Sequence, residues 1–189
     1  MNALIKAIKS MVNVCDEELT KFAELCYPKC FKKKTLLSTD ETQIDSVFFI
    51  EKGLVRVKII DFKGTEHTTH FTLENQFISD YSAFLTLQKS SYQLEALEDT
   101  ETIVLPRKAI EWGYKNMTQG EQLGRLIAEY YFIVLDTRIQ HLYTLSPIER
   151  YNLMNDIFPN IHNRVPQHMI ASYLGITPIH LSRIKKQNL

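Results

Sequence analysis

Hydrophobic and polar positions change rhythm three times along the 189 residues of the chain. Two short amphipathic stretches, about residues 3–12 and 16–27, have helical spacing. From 31 to 105 the rhythm shortens into β-type runs. Val47-Phe48-Phe49-Ile50 and Leu54-Val55-Arg56-Val57-Lys58-Ile59-Ile60 are rich in β-branched and aromatic residues. Glu51-Lys52-Gly53 stands between them, and Gly53 supplies the positive φ of a tight hairpin turn. Further turns are signalled at Asp61-Phe62-Lys63-Gly64 and Leu73-Glu74-Asn75-Gln76. Two later strands are expected at Tyr92–Leu97 and Thr102–Leu105, with a turn through Leu97-Glu98-Asp99-Thr100 between them. Many short strands at this spacing predict an antiparallel sandwich or barrel.

From Gln119 to Leu145 the pattern becomes a single long helix. Leu123, Ile127, Tyr130 and Val134 recur at alternating spacings of four and three, on one stripe. Every position from Tyr130 to Leu135 is apolar or aromatic, so the helix needs cover on more than one side. One side can rest on the β-domain and the other on a second copy of the chain. A central helix buried within a monomer is the alternative. The charged Arg125, Glu129, Asp136 and Arg138 favour a partly exposed dimer seam carrying Leu123, Ile127, Tyr130 and Val134.

Ser146 and Pro147 break this helix and suit the cap and first turn of the next. The segment Val165–Leu174 predicts a helix starting at Pro166 or Gln167, with Ala171 as the small residue where a second helix crosses. Gly175 closes the first helix in a left-handed conformation, Thr177 caps the second, and Pro178 opens it. Ile170, Leu174, Ile176, Leu181 and Ile184 are spaced to form the core between the two. Together these requirements define a helix-turn-helix, a DNA-binding unit whose second helix enters the major groove. Its exposed side chains would include His180, Ser182, Arg183, Lys185, Lys186 and Gln187. Arg183 is the candidate for reading guanine through O6 and N7. Lys185 and Lys186, with Gln167 and His168 at the front of the first helix, suit phosphates. A solvated helix end is the plain alternative for the lysines, and a structural α-hairpin for the pair of helices.

Charge adds a little to this picture. The chain holds 22 basic and 22 acidic residues. From Leu145 onward Arg150, Arg164, Arg183, Lys185 and Lys186 face only Glu149 and Asp156, so this segment carries +3 and the remainder −3. A mildly basic tail on an acidic body fits a separate module that meets phosphates. No run approaches the roughly 18 apolar residues of a membrane span, and Met1 to Met11 lacks the features of a signal peptide. No membrane partner and a cytoplasmic location are expected. Three cysteines, Cys15, Cys26 and Cys30, cannot all pair with one another.

The residues quoted resemble the Crp/Fnr family of bacterial regulators over essentially the whole chain. Val47–Val57 is similar to the family's strand-glycine-strand signature, Leu94–Asp99 to its late β-roll, and Ile170–Thr177 to its DNA-binding unit. The resemblance implies an α+β fold. A sensor domain, an antiparallel β-roll (double-stranded β-helix) like that of cyclic-nucleotide-binding domains, would span residues 1–118. A dimerisation helix would span 119–145 and a helix-turn-helix domain 146–189. It implies double-stranded DNA, a second copy of the chain and RNA polymerase as partners, and a transcription regulator rather than an enzyme.

Departures from the family pattern matter as much. Cyclic-nucleotide binders in the family carry Gly-Glu near the start of their binding cassette and Arg-Ser/Thr-Ala near its end. Here Ser79-Asp80 stands at the first place, and Ser90 or Ser91 where the arginine belongs. No arginine lies between Arg56 and Arg107, and Lys89 is only a point-charge substitute. Cyclic AMP is therefore not the expected effector; another ligand, or none, is. Asp80, Ser82, Lys89, Ser90, Ser91 and Tyr92 remain the candidate effector-pocket residues. Iron–sulfur sensing needs four cysteines, and Cys26-x-x-x-Cys30 reads as two neighbours on one helix, so no metal cofactor is expected. His67 and His70 read as surface or turn histidines. The sequence ends at Leu189, so a full wing after the second helix is not expected, and Pro178 and Ile179 cannot form base-edge hydrogen bonds. No Gly-x-Ser-x-Gly, P-loop or His-Glu-x-x-His motif occurs, which argues against catalysis. The competing expectation is a ligand- or partner-binding signalling protein with a vestigial DNA-binding unit.

Overall fold

A computed structural model describes residues 1–39, 41 and 43–187, the last of these without its side chain. The final two residues of the expected 146–189 domain, and the side chain of Gln187, thus lie outside the described residues. Among the described residues, eight strands form two antiparallel four-stranded sheets. One runs β1 (Tyr27–Phe31), β8 (Thr100–Pro106), β3 (Ser46–Lys52), β6 (Phe77–Ile78); the other runs β2 (Leu36–Ser38), β7 (Gln93–Ala96), β4 (Val55–Ile60), β5 (Glu66–Thr72). Apart from β4 and β5, each strand lies in the other sheet from the strand before it, which winds the chain into a roll.

Between the sheets lies one apolar cluster, with Phe48 and Ile50 of β3 against Val55, Val57, Leu94 and Val104. The other face of β3 is also covered. Val47 and Phe49 join Leu4 and Ile8 of α1 (Asn2–Met11), Leu19 and Phe22 of α2 (Asp16–Glu24), and Ala109 of α4 (Arg107–Asn116) in a second cluster. A strand buried on both faces reads as a continuous apolar run, which is why Val47–Ile50 shows no alternation.

Two local expectations fail for physical reasons. Gly53 has the expected positive φ, at +106°, but β3 and β4 belong to different sheets and make no hairpin. The residue serves a crossing instead, where a Cβ would lie 2.6 Å from the Thr100 hydroxyl oxygen. The β4–β5 turn is a true hairpin: Asp61 Oδ1 accepts from the amides of Lys63 (2.8 Å) and Thr65 (2.9 Å), and Gly64 has φ +79°. The second helix stops at Glu24 rather than 27, because Pro28 has no N–H to give and favours an extended Tyr27. Cys26 and Cys30 therefore do not share a helix. Cys26 is buried just past α2, and Cys30 is exposed on β1.

After the short α3 (Tyr81–Thr86), β7, β8 and α4, the chain enters α5 (Gly120–Thr144) and then four helices: α6 (Pro147–Ile157), α7 (Ile161–Arg164), α8 (Gln167–Leu174) and α9 (Pro178–Gln187). Ser146 caps α6 in a reciprocal box with Glu149, and Pro147 occupies its first turn. The C-terminal helices do not own their core alone. Met154, Phe158, Ile161, Ile170, Leu174 and Leu181 pack in one cluster with Leu54, Phe71, Leu73 and Leu97 of the roll. No helix of the described residues is long and apolar enough to cross a membrane.

Candidate nucleic-acid interface

Helix α8 ends at Gly175, whose φ of +68° lets the chain reverse. The amide of Ile176 reaches back to the Ala171 carbonyl (3.0 Å) and that of Gly175 to Ser172 (3.1 Å), satisfying the last turn. Thr177 then caps α9, its hydroxyl accepting from the His180 amide at 3.2 Å. Leu181 and Ile184 are buried with Ala171, Ile170 and Leu174, which sets the rotation of α9. At 100° per residue the opposite side carries Ile179, Ser182, Arg183 and Lys186. All four are exposed, as are Thr177, His180 and, at the front of α8, Gln167 and His168. Lys185 is half-buried; the burial of His162 and, secondarily, the Lys185 charge hold that imidazole below its usual range.

Two of the five basic residues counted toward a phosphate-binding tail are consumed inside the protein. Arg150 donates to the carbonyls of Leu174 (3.1 Å), Leu142 (3.3 Å) and Leu145 (2.6 Å). Arg164 grips both Glu74 and Glu98 of the roll through four bonds of 2.7–3.1 Å, and this pairing raises its pKa. The charge left on the open face is Arg183 and Lys186, with Lys185 half-buried beside it.

The same contacts set how the unit sits. Helix α8 packs on β5, where the Thr68 amide donates to Ser172 Oγ at 2.9 Å. Arg138 of α5 donates to the carbonyls of Tyr173 (3.0 Å) and Thr68 (3.3 Å) and lies 4.0 Å over the Tyr173 ring. Phe158 fills the joint edge-on to Phe71, Tyr173 and His70. His70 is thus an interface residue, not a surface or turn histidine, and its Nδ1 has no partner. His67 does lie at the surface, 2.9 Å from Asp61 Oδ2.

The candidate effector residues come together only in part. Asp80 is 6 % exposed and caps α3. Its carboxylate accepts from the amides of Ala83 (3.1 Å) and Ser91 (3.1 Å) and from the Ser90 hydroxyl (2.8 Å), and the Tyr92 amide donates to Ser90 Oγ (3.0 Å). Ser82 and Lys89 point out to solvent. The flanking arginines have other duties. Arg107 lies 4.0 Å over Phe84 and binds that residue's carbonyl. Arg56, 1 % exposed, donates to Thr68 Oγ1 (2.8 Å), Glu66 (2.6 Å) and Glu95 (3.3 Å), and Lys58 pairs with the same two carboxylates. Sequence reasoning missed this network. Its signal was two bases alternating along β4, with Glu95 directly across the ladder from Arg56.

Helix α5 also divides differently from its expected stripe. Leu123 is buried and Ile127 half-buried in the chain's own core, Val134 is half-buried, and Tyr130 is exposed. The apolar stripe left open is Phe132, Leu135, Ile139 and Tyr143, spaced three, four and four, with Phe132 71 % and Tyr143 87 % exposed. An apolar cavity of about 60 Å³ lies where α5 meets α4 and the roll, beside Gly124, Ile127 and Tyr131. Among the described residues, no three His, Cys, Asp or Glu side chains are placed to hold a metal.

Residues 28–116 match the cyclic nucleotide-binding domain family. No curated protein matches the sequence. Among solved structures, FixK2 from Bradyrhizobium japonicum is similar at 15 % identity and a TM-score of 0.73, over 86 % of this chain and 83 % of that one. A structure from Eubacterium rectale assigned to the Crp/Fnr family of transcriptional regulators aligns at 14 % identity and TM-score 0.72, over 95 % and 85 %. CLP, a c-di-GMP-responsive global regulator from Xanthomonas campestris, aligns at 11 % and TM-score 0.70, over 92 % and 91 %. The chain shares the fold of these solved structures, and its roll is similar to the cyclic nucleotide-binding domains.

Proposed function

We propose that the chain is a homodimeric, DNA-binding transcription regulator. The sensor is residues 1–118, the dimerisation helix 119–145 and the DNA-binding unit 146–189. One observation carries this reading: the outward side of α9 is exposed and carries Ser182, Arg183 and Lys186 beside Ile179, while the unit that bears it is packed against the roll. A helix presented in this way fits the major groove. Arg183 takes guanine, His180 and Ser182 flank it, and Lys185, Lys186, Gln167 and His168 meet phosphates. The open stripe on α5 supports pairing with a second copy, which would set two α9 helices about 34–36 Å apart, one DNA turn. Bound beside a promoter, such a dimer would meet RNA polymerase.

The effector we infer is not cyclic AMP. Its phosphate would meet the Asp80 carboxylate, already holding the local donors, rather than a guanidinium. Ligand occupancy elsewhere in the sensor would act by biasing α5, and through Arg138 the seat of α8.

Selection of genomic fragments by the full chain, repeated with Arg183→Ala, tests the assignment. We expect a shared two-fold motif whose affinity falls steeply with salt, and about tenfold weaker binding per half-site in the variant. A variant with full specificity would overturn the role of Arg183; fragments sharing no motif would overturn DNA recognition itself.

A further inference from the structure

Helix α9 carries one large apolar side chain on a stripe that is otherwise polar. Leu181 and Ile184 fix its buried side, and Ile179 stands opposite them, 69 % exposed. The small core between α8 and α9 is complete without it, since Ile170, Ala171, Leu174, Leu181 and Ile184 are all buried. Ile179 lies on the first turn, at the end of a recognition helix that goes into the groove. It shares the stripe with Arg183 one turn further on, with Thr177 and His180 bordering the same shallow hollow.

Isoleucine offers no hydrogen bond, so it can read only shape and apolar surface. The apolar group that the major groove displays is the 5-methyl of thymine. We propose that Ile179 reads a thymine through this methyl group, next to the base pair met by Arg183. The inference rests on the DNA-binding reading above, and it makes Ile179 a specificity-determining residue. Removing the methyl exposes the Ile179 side chain to water again and leaves every hydrogen bond of the base pair intact.

Deoxyuridine is the probe, since it differs from thymidine by that methyl alone. In a duplex carrying the motif selected by the full chain, each thymine is replaced in turn and binding measured by fluorescence anisotropy. One thymine per half-site is expected to weaken binding about fourfold when replaced, the worth of one buried methyl-sized group. Ile179→Ala should bind both duplexes alike at that position, and Ile179→Val should keep part of the preference. Both substitutions are on an exposed side chain, so folding is not at stake. If the wild type binds its motif selectively yet tolerates deoxyuridine everywhere, or if Ile179→Ala keeps the preference, the inference fails while DNA binding stands. If no motif can be selected, both fail together.

Discussion

His70 sits where three parts of the protein meet: strand β5, Phe158 of α6's end and Arg138 of α5. Burial, and secondarily the Arg138 charge, push its pKa down to about 4 from 6.5. Below about 6.5 the unfolded chain takes up a proton that the folded chain refuses until about 4. Stability must therefore fall as pH drops through that window, by up to ~1.4 kcal/mol per pH unit. His70→Phe removes the titration and keeps a ring against Phe158. The difference in unfolding free energy between the two proteins should be constant above pH 7 and move in favour of the variant between 6.5 and 4. A difference that stays constant throughout would mean the imidazole is not held neutral in the joint. At this scale the sequence was informative where chemistry is local. Thr177, Pro178, Gly175 and Ser146 each do what their residue type does best, and Arg183 lands exposed. It was uninformative where a side chain's partner is distant. Nothing in the numbering of Asp80 and Ser90, or of Arg164 with Glu74 and Glu98, tells that they touch.

Strands and helices were legible wherever one period dominated. The long helix, the two helices of the helix-turn-helix and the β4–β5 hairpin all follow from spacing and turn residues. Pairing was not. The apolar run before Gly53 and the run after it look like a hairpin, because a sequence shows strand length and turn but not which sheet each strand joins. The consequence is testable with two glycines of like conformation. Gly53→Ala strains a positive φ and also drives a Cβ to 2.8 Å from the Thr100 Cα, against backbone. Gly64→Ala, at φ +79°, meets nothing within 4 Å. Chemical denaturation should give about 1–2 kcal/mol for Gly64→Ala, the left-handed cost alone, and clearly more for Gly53→Ala. Equal losses would mean that Gly53 occupies an open turn after all. The stripe on α5 teaches a related lesson. Where a helix is apolar all round, periodicity cannot say which side faces home. The side bearing Leu123 and Ile127 does, which leaves Phe132, Leu135, Ile139 and Tyr143 exposed.

At the scale of the molecule, roll, long helix and helix-turn-helix unit are joined by shared apolar cores and by arginines. Arg138 ties α5 to both α8 and β5, Arg150 ties α6 to the end of α5, and Arg164 ties α7 to two turns of the roll. Charge counting had included Arg150 and Arg164 in a basic tail, because composition cannot separate a base that faces solvent from one that faces a carboxylate or a carbonyl. What they do instead is hold α9 at a fixed attitude with its stripe outward. The central claim is that two such stripes, paired through α5, read one duplex. A hydroxyl-radical footprint of the full chain on its selected fragment tests this most directly. The account predicts two protected patches whose centres lie about 10–10.5 base pairs apart, collapsing toward weak single-patch protection in Ile139→Glu. Uniform protection without patches, or a footprint that Ile139→Glu leaves unchanged, would contradict it.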